Sequence, residues 1–367
     1  MKKGVMREYM QTAPVLYLNE EGLIKKSGQI VAELGKRALI SGGPRALQSI
    51  ENDLVSSLDK AGIAWEKHVF KGECSENNIN LIMSKANNIS AEVIIGVGGG
   101  KSLDCAKVVA DRCGLPIVTI PTIAATCAAV TPLSIVYNDA GEYQLDYYLR
   151  SNPDLVLVDP IVITNAPVKY FTSGILDALS KWYEGRAAVK NIDNPDIFTA
   201  SAIKLAELLY TRINKQGEEA IKLVKYKKTG QALKDVIDLN IFTTGIIQSI
   251  GQKTCRGAAA HSIHNALTII EESHELLHGL KVGYGIVVQL FMEDLPEEEI
   301  KEVVYFFRKL GLEPSLKGLK LPYSKKIIEG VAQKATTDPV MRLMPFKVSK
   351  EMVISAIDKL ENTVPNY

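Results

Sequence analysis

No stretch of this 367-residue chain is long and apolar enough to read as a membrane span, which needs about 18 uncharged residues in a row. An excess of one charge is missing too. The 43 Lys and Arg stand against 42 Asp and Glu, for a net +1. That balance excludes a global field drawing in nucleic acid or an anionic membrane. Cysteine is sparse and odd in number: Cys74, Cys105, Cys113, Cys127 and Cys255 form no C-x-x-C. A disulfide framework is thereby excluded, and reduced thiols in a cytoplasmic protein are expected. The leading residues, MKKGVMREYMQTAPVLYL, carry positive charge without the continuous apolar core of a signal peptide, so export is not expected. Internal repeats, low-complexity tracts and long linkers are also absent. With 46% apolar and 23% charged residues, the composition is that of an ordinary globular protein, and small-molecule chemistry is the class left standing.

What is present is a glycine loop. From Ile94 to Asp104 the chain reads IIGVGGGKSLD, an apolar run that stops at three glycines and resumes as an amphipathic pattern. Glycines let the backbone turn sharply and bring its N–H groups close to an anion, and the following helix N-terminus adds partial positive charge. A P-loop would need a glycine where Ile95 stands, so the Walker pattern fails by one position. The dinucleotide fingerprint finds its first two glycines in Gly96 and Gly98 but has Lys101 at the third.

Around this loop strands and helices alternate. Strands are expected at 37–41, 65–70, 93–96, 116–121 and 154–158, helices at 44–61, 77–88 and 102–112, and a hairpin at 134–149. Alternation of this kind implies a parallel sheet. Beyond Pro167 helical periodicities take over, at 175–189, 200–213 and 236–250 among others. Two domains are expected, an α/β dinucleotide-binding domain over 1–165 and an all-α domain over 166–367, divided at Asn165-Ala166-Pro167.

Four of the five histidines fall between 261 and 278: His261, His264, His274 and His278. His274 to His278 formally matches the zincin pattern H-E-x-x-H, but Gly279 follows at once, which is unsuited to a site deep within a helix. Asp177 is the candidate carboxylate, an acid among apolar neighbours that needs a partner if buried. Two imidazoles and one carboxylate would hold zinc or iron with a position open to substrate.

These residues, with GECS at 72–75, GVGGGKSLDCAK at 96–107, IPTIAAT at 120–126, VDP at 158–160, GILDALSKWYE at 174–184, AAAHSIHNALT at 258–268 and LHGLKVGYG at 277–285, resemble the iron-type, metal-dependent alcohol dehydrogenases. The glycerol dehydrogenase branch is the nearest, including its hydroxycarboxylate dehydrogenase-like members. The resemblance implies a dehydroquinate synthase-like architecture of two domains and homo-oligomers. It implies a divalent metal, zinc before iron, on Asp177, His261 and His278. A nicotinamide dinucleotide would rest on Gly98, Gly99, Gly100, Lys101, Ser102 and Asp104, with Thr122 and Thr126 beside it. His264, one turn from a ligand, would face substrate rather than metal.

The chain also departs from that pattern. Where glycerol dehydrogenases carry Ser-Thr-Asp-Ala-Pro it has Ala125-Thr126-Cys127-Ala128-Ala129, so a carboxylate that would repel an acidic substrate is replaced by a thiol. Four residues after Asp177 stands Lys181, on the same helical side. Lys181 is therefore expected to pair with a substrate carboxylate, and Arg256 is a second candidate; the competing reading pairs Lys181 with Glu184. Cys127 is a further candidate catalytic group. A 2-hydroxy acid/2-oxo acid oxidoreductase is the leading expectation, ahead of glycerol dehydrogenase and, in another class, a dehydroquinate synthase-like lyase. After the first strand of the alternating series, Ser41-Gly42-Gly43-Pro44-Arg45 has no acid for a ribose 2′-hydroxyl, and the expectation is that Gly43 and Arg45 admit NADP at least as well as NAD.

Overall fold

All six residues of Val93–Gly98 are buried, a run that suits only a strand covered on both faces. The computed structural model describes residues 11–367 and places this strand inside a six-stranded parallel sheet. Residues 1–10, on which part of the reading against export rests, lie outside the described residues. In chain order the strands are β1 (Leu16–Asn19), β2 (Arg37–Gly42), β3 (Ala64–Val69), β4 (Val93–Gly98), β5 (Ile117–Pro121), β6 (Leu133–Tyr137), β7 (Tyr143–Tyr148) and β8 (Leu155–Val158). Across the sheet they run β1-β8-β5-β4-β2-β3, while β6 and β7 form a separate antiparallel hairpin.

Alternation along the strands feeds two cores. Ala38, Ile40, Ile95 and Val97 pack with Leu47, Ile50, Leu54 and Leu58 of the Pro44–Lys60 helix. Leu39 and Ile94 face the other way, onto Ile79 and Ile82 of Glu76–Asn88 and onto Cys105, Val108 and Val109 of Gly100–Cys113. The sheet is thus doubly wound. From β2 the chain passes outward to β3, whereas from β4 it passes to β5 on the opposite side. The carboxyl ends of β2 and β4 consequently form a topological switch point, where open α/β sheets bind ligands.

The chain folds as two compact units, residues up to Ala166 with Lys227–Thr229, and Pro167–Tyr226 with Gly230–Tyr367. In the described residues of the second unit only helices and turns occur. The Val168–Val189 helix is buried on nearly every side and packs against Ile197–Lys225 and His278–Met292. The helix expected over 236–250 is interrupted: Gln231–Asp238 ends in a π-turn, Leu239–Thr243, before Thr244–Gly251 resumes. Among the described residues, no helix is long and apolar enough to cross a membrane.

Candidate functional site

At the switch point both entering helices begin in the same way. Gly43 caps Pro44–Lys60 and Gly99 caps Gly100–Cys113, and neither helix start carries a side-chain cap. By contrast, Glu76–Asn88 is capped by Ser75, whose hydroxyl accepts from Asn78 N–H. First-turn N–H groups have no partner inside a helix, so two uncapped starts side by side offer donors to an anion. Gly98 has φ +138°, a conformation that a side chain strains, and a Cβ there would lie 3.5 Å from Ala46 Cβ at the start of the neighbouring helix. The Thr122 N–H donates to Gly98 O at 3.0 Å, and the Thr126 hydroxyl lies 3.6 Å from where a Gly100 Cβ would be. Gly43 faces open space and Arg45 is exposed.

Several loop residues expected to touch a cofactor are engaged with the protein itself. Ser102 Oγ donates to Val97 O at 2.8 Å, which locks the loop. Lys101 Nζ bonds the Glu73 carboxylate. Asp104 requires correction: its carboxylate lies 3.0 Å from Lys107 Nζ and accepts from Ile135 N–H at 3.3 Å. Burial pushes its pKa up, and Lys107 only partly opposes this. With Lys107 also donating to Thr131 O at 3.1 Å, the pair anchors the β6–β7 hairpin. Cys127 is buried in the loop after β5.

The second unit gathers the other candidates. Asp177 projects from the Val168–Val189 helix, His261 from Ala259–Leu267 and His278 from the first position of His278–Met292. His278 Nε2 lies 3.4 Å and His261 Nε2 3.6 Å from Asp177 Oδ1, and one donor atom from each residue falls within 4.8 Å of the others. Asp177 Oδ1 is nevertheless buried without a hydrogen-bond partner. An orphaned carboxylate oxygen faced by two imidazole nitrogens is what a divalent cation would satisfy, so these residues fit a metal. Burial would raise the Asp177 carboxyl, but the surrounding His278, Lys181 and His261 outweigh it and hold the group well below the ordinary carboxylate range.

Glu184 is the residue that sequence reasoning missed as a site group, having weighed it only as a partner for Lys181. One of its oxygens accepts from the N–H groups of Ala258 and His261, the latter at 2.8 Å; the other lies 2.6 Å from His261 Nδ1. A carboxylate on Nδ1 keeps the proton there and leaves Nε2 bare for a metal. The available signal was its position, seven residues after Asp177 on an almost wholly buried helix.

Lys181 also requires correction. It lies on the same side as Asp177, as its spacing predicts, but it is 0% exposed and its ammonium donates to Arg256 O at 3.1 Å. In this structure the charge is enclosed between two carboxylates and the Arg256 carbonyl. His264 likewise does not stand free toward substrate: its Nε2 lies 3.0 Å from His278 Nδ1 and its Nδ1 2.9 Å from Asn265 Oδ1. Burial, which any positive charge on the neighbouring His278 would reinforce, holds His264 well below the ordinary histidine pKa, and so neutral. His274, outside the cluster, faces Thr268 O at 2.9 Å.

The placement of His278 depends on a neighbour without a side chain. A Cβ on Gly279 would come within 1.8 Å of Ser173 O, and the Gly279 N–H donates to Ser173 Oγ at 3.0 Å. The two ligand-bearing helices therefore meet backbone to backbone.

Residues 14–160 match the family "Iron-containing alcohol dehydrogenase". The chain is 34% identical to a glycerol dehydrogenase of Escherichia coli, with 94% of each chain covered, and 33% identical to the glycolaldehyde reductase of Halobacterium salinarum over 94% of this chain and 95% of that one. Hydroxycarboxylate dehydrogenase A of Escherichia coli is 33% identical over 89% of this chain and 90% of its own. Among solved structures, glycerol dehydrogenase from Schizosaccharomyces pombe superposes with a TM-score of 0.88 at 29% identity, covering 98% of this chain and 92% of that one. This chain is an oxidoreductase belonging to the iron-containing alcohol dehydrogenase family.

Proposed function

We propose that this protein interconverts a small alcohol and its carbonyl with NAD(P) and one divalent metal ion, zinc before iron. The convergence of His261 and His278 on the orphaned Oδ1 of Asp177 carries the reading. When bound, the two groups supply Lewis acidity toward the substrate oxygen and a hydride carrier. The chain's own residues do the rest. Asp177, His261 and His278 would hold the ion, Glu184 keeps the His261 lone pair available, and the uncapped helix starts at Gly43 and Gly99 receive the pyrophosphate. With no carboxylate between Ser41 and Arg45, NADP is the cofactor we favour.

For the substrate we favour a neutral two- or three-carbon compound with oxygen on the carbon next to the reacting one, such as a hydroxyaldehyde or glycerol. Relatives named glycolaldehyde reductase and glycerol dehydrogenase support this class, and the enclosed Lys181 offers no cation to an acid. A 2-oxo acid is the second reading, favoured by Cys127 in place of the branch's aspartate. The test is NADPH and NADH oxidation with glycolaldehyde, dihydroxyacetone and pyruvate, and NAD(P) reduction with glycerol, before and after chelation. Expected are turnover lost on chelation and restored by zinc, a preference for neutral substrates, and NADPH used at least as well as NADH. Turnover indifferent to chelation would overturn the metal reading, and a strong NADH preference the role of Arg45.

A further inference from the structure

His261 has a carboxylate to fix its proton, but the other histidine ligand has none. His278 Nε2 can present a lone pair to a metal only while its proton stays on Nδ1. The partner of that Nδ1 is His264 Nε2, at 3.0 Å with the rings 65° apart. His264 Nε2 can accept only if its own proton sits on Nδ1, where Asn265 Oδ1 receives it at 2.9 Å. The Asn265 amide could flip, but its Nδ2 donates to Asp338 Oδ2 at 2.7 Å, and a carboxylate accepts from the amide NH2 and repels the amide oxygen. The other Asp338 oxygen accepts from Val340 N–H at 3.0 Å.

We propose that Asp338, through Asn265 and His264, sets the proton order of a hydrogen-bonded chain that holds His278 in its metal-binding tautomer. Asp338, Asn265 and His264 are positioning residues, and the proposal rests on the metal reading above. The chain has a definite polarity with one carboxylate at its head.

Its reversal is therefore predictable. In Asp338→Asn, the amide oxygen keeps the Val340 contact, which turns the new NH2 toward Asn265. Asn265 then flips, its own NH2 meets His264 Nδ1, the His264 proton moves to Nε2, and the His278 proton is driven onto Nε2. An isosteric change four groups away should lower zinc affinity about 10- to 100-fold, the usual effect of losing a ligand's supporting partner. In His264→Gln the amide oxygen can take over the acceptor role, so zinc affinity should return close to wild type and Asp338→Asn should add nothing in that background.

The experiment measures zinc affinity by competition with a chromophoric chelator in the full chain, for D338N, H264L, H264Q and H264Q/D338N. Long-range proton–nitrogen spectra of 15N-histidine-labelled, metal-free protein read the His278 tautomer directly. Nδ1–H in wild type and Nε2–H in D338N support the proposal. A His278 tautomer unchanged by D338N, or unchanged zinc affinity in D338N and H264L, overturns it. If wild-type protein bound no zinc while the spectra showed the expected switch, the metal reading would fail and the proton chain would stand.

Discussion

Replacing Lys181 with methionine separates an interior role from a substrate role. Methionine fills nearly the same unbranched volume, so the change chiefly deletes one charge. Lys181 is fully buried, four residues after Asp177 and three before Glu184, and its charge helps to lower both carboxyl pKa values. Removing one member of a buried charge set costs about 3–5 kcal/mol, because the charges left behind are uncompensated. For a unit of this size each kcal/mol shifts Tm by roughly 2–4 °C, so metal-free K181M should melt roughly 6–20 °C lower. A divalent cation restores positive charge beside the same carboxylates, so the zinc-induced rise in Tm should be larger in K181M than in wild type. Calorimetry with and without zinc, together with kcat/KM for glycolaldehyde and pyruvate, is the assay. The ratio of the two kcat/KM values should not change. An unchanged Tm with a selective loss of pyruvate turnover would refute the reasoning and return Lys181 to the substrate.

Metal binding should depend on pH through His261. Burial disfavours its charged ring, but Glu184 outweighs burial and raises the metal-free pKa to about 9. The contribution of that pair to folding is thus complete below the ordinary value of 6.5 and fades as pH rises through about 9. Zinc needs the uncharged ring, so its apparent affinity should climb about tenfold per pH unit over most of this window, with about one proton released per ion in calorimetry across several buffers. A flat profile would refute the assignment. At the other site, Gly98→Ala forces a side chain onto φ +138° and to 3.2 Å from Ser102 Cβ. About 1–3 kcal/mol of backbone strain should then lower NADPH affinity at least fivefold by fluorescence titration; unchanged binding and Tm would disprove the need for glycine.

The sheet was legible where its strands are apolar throughout, as in β4, and where glycine punctuates the turn that follows. β1 escaped because LYLN is only four residues long with no buried alternation, and its place beside β8 comes from long-range pairing. The π-turn escaped because its side chains continue the helical pattern and only the backbone bonding changes. Asp177 stood out by residue type, and the family resemblance was needed to single out His261 and His278 among four clustered histidines, whereas Glu184 and Lys181 could not be sorted by role. Spacing puts both on the metal side of one helix, but only packing shows that one braces His261 and the other is sealed inside. Asp104 misled for the same reason, since an acid next to a phosphate loop gives no sign in sequence that it turns inward to Lys107.

The close contact at Gly279 has a consequence for how such a site changes over time. Exchanging one ligand side chain for another leaves the distance between the two helices untouched, whereas any side chain at Gly279 forces Ser173 away and carries His278 with it. The bite of the site is held by a spacing between main chains, so the identity of the ion can drift through its donors more freely than the residue that offers no donor at all.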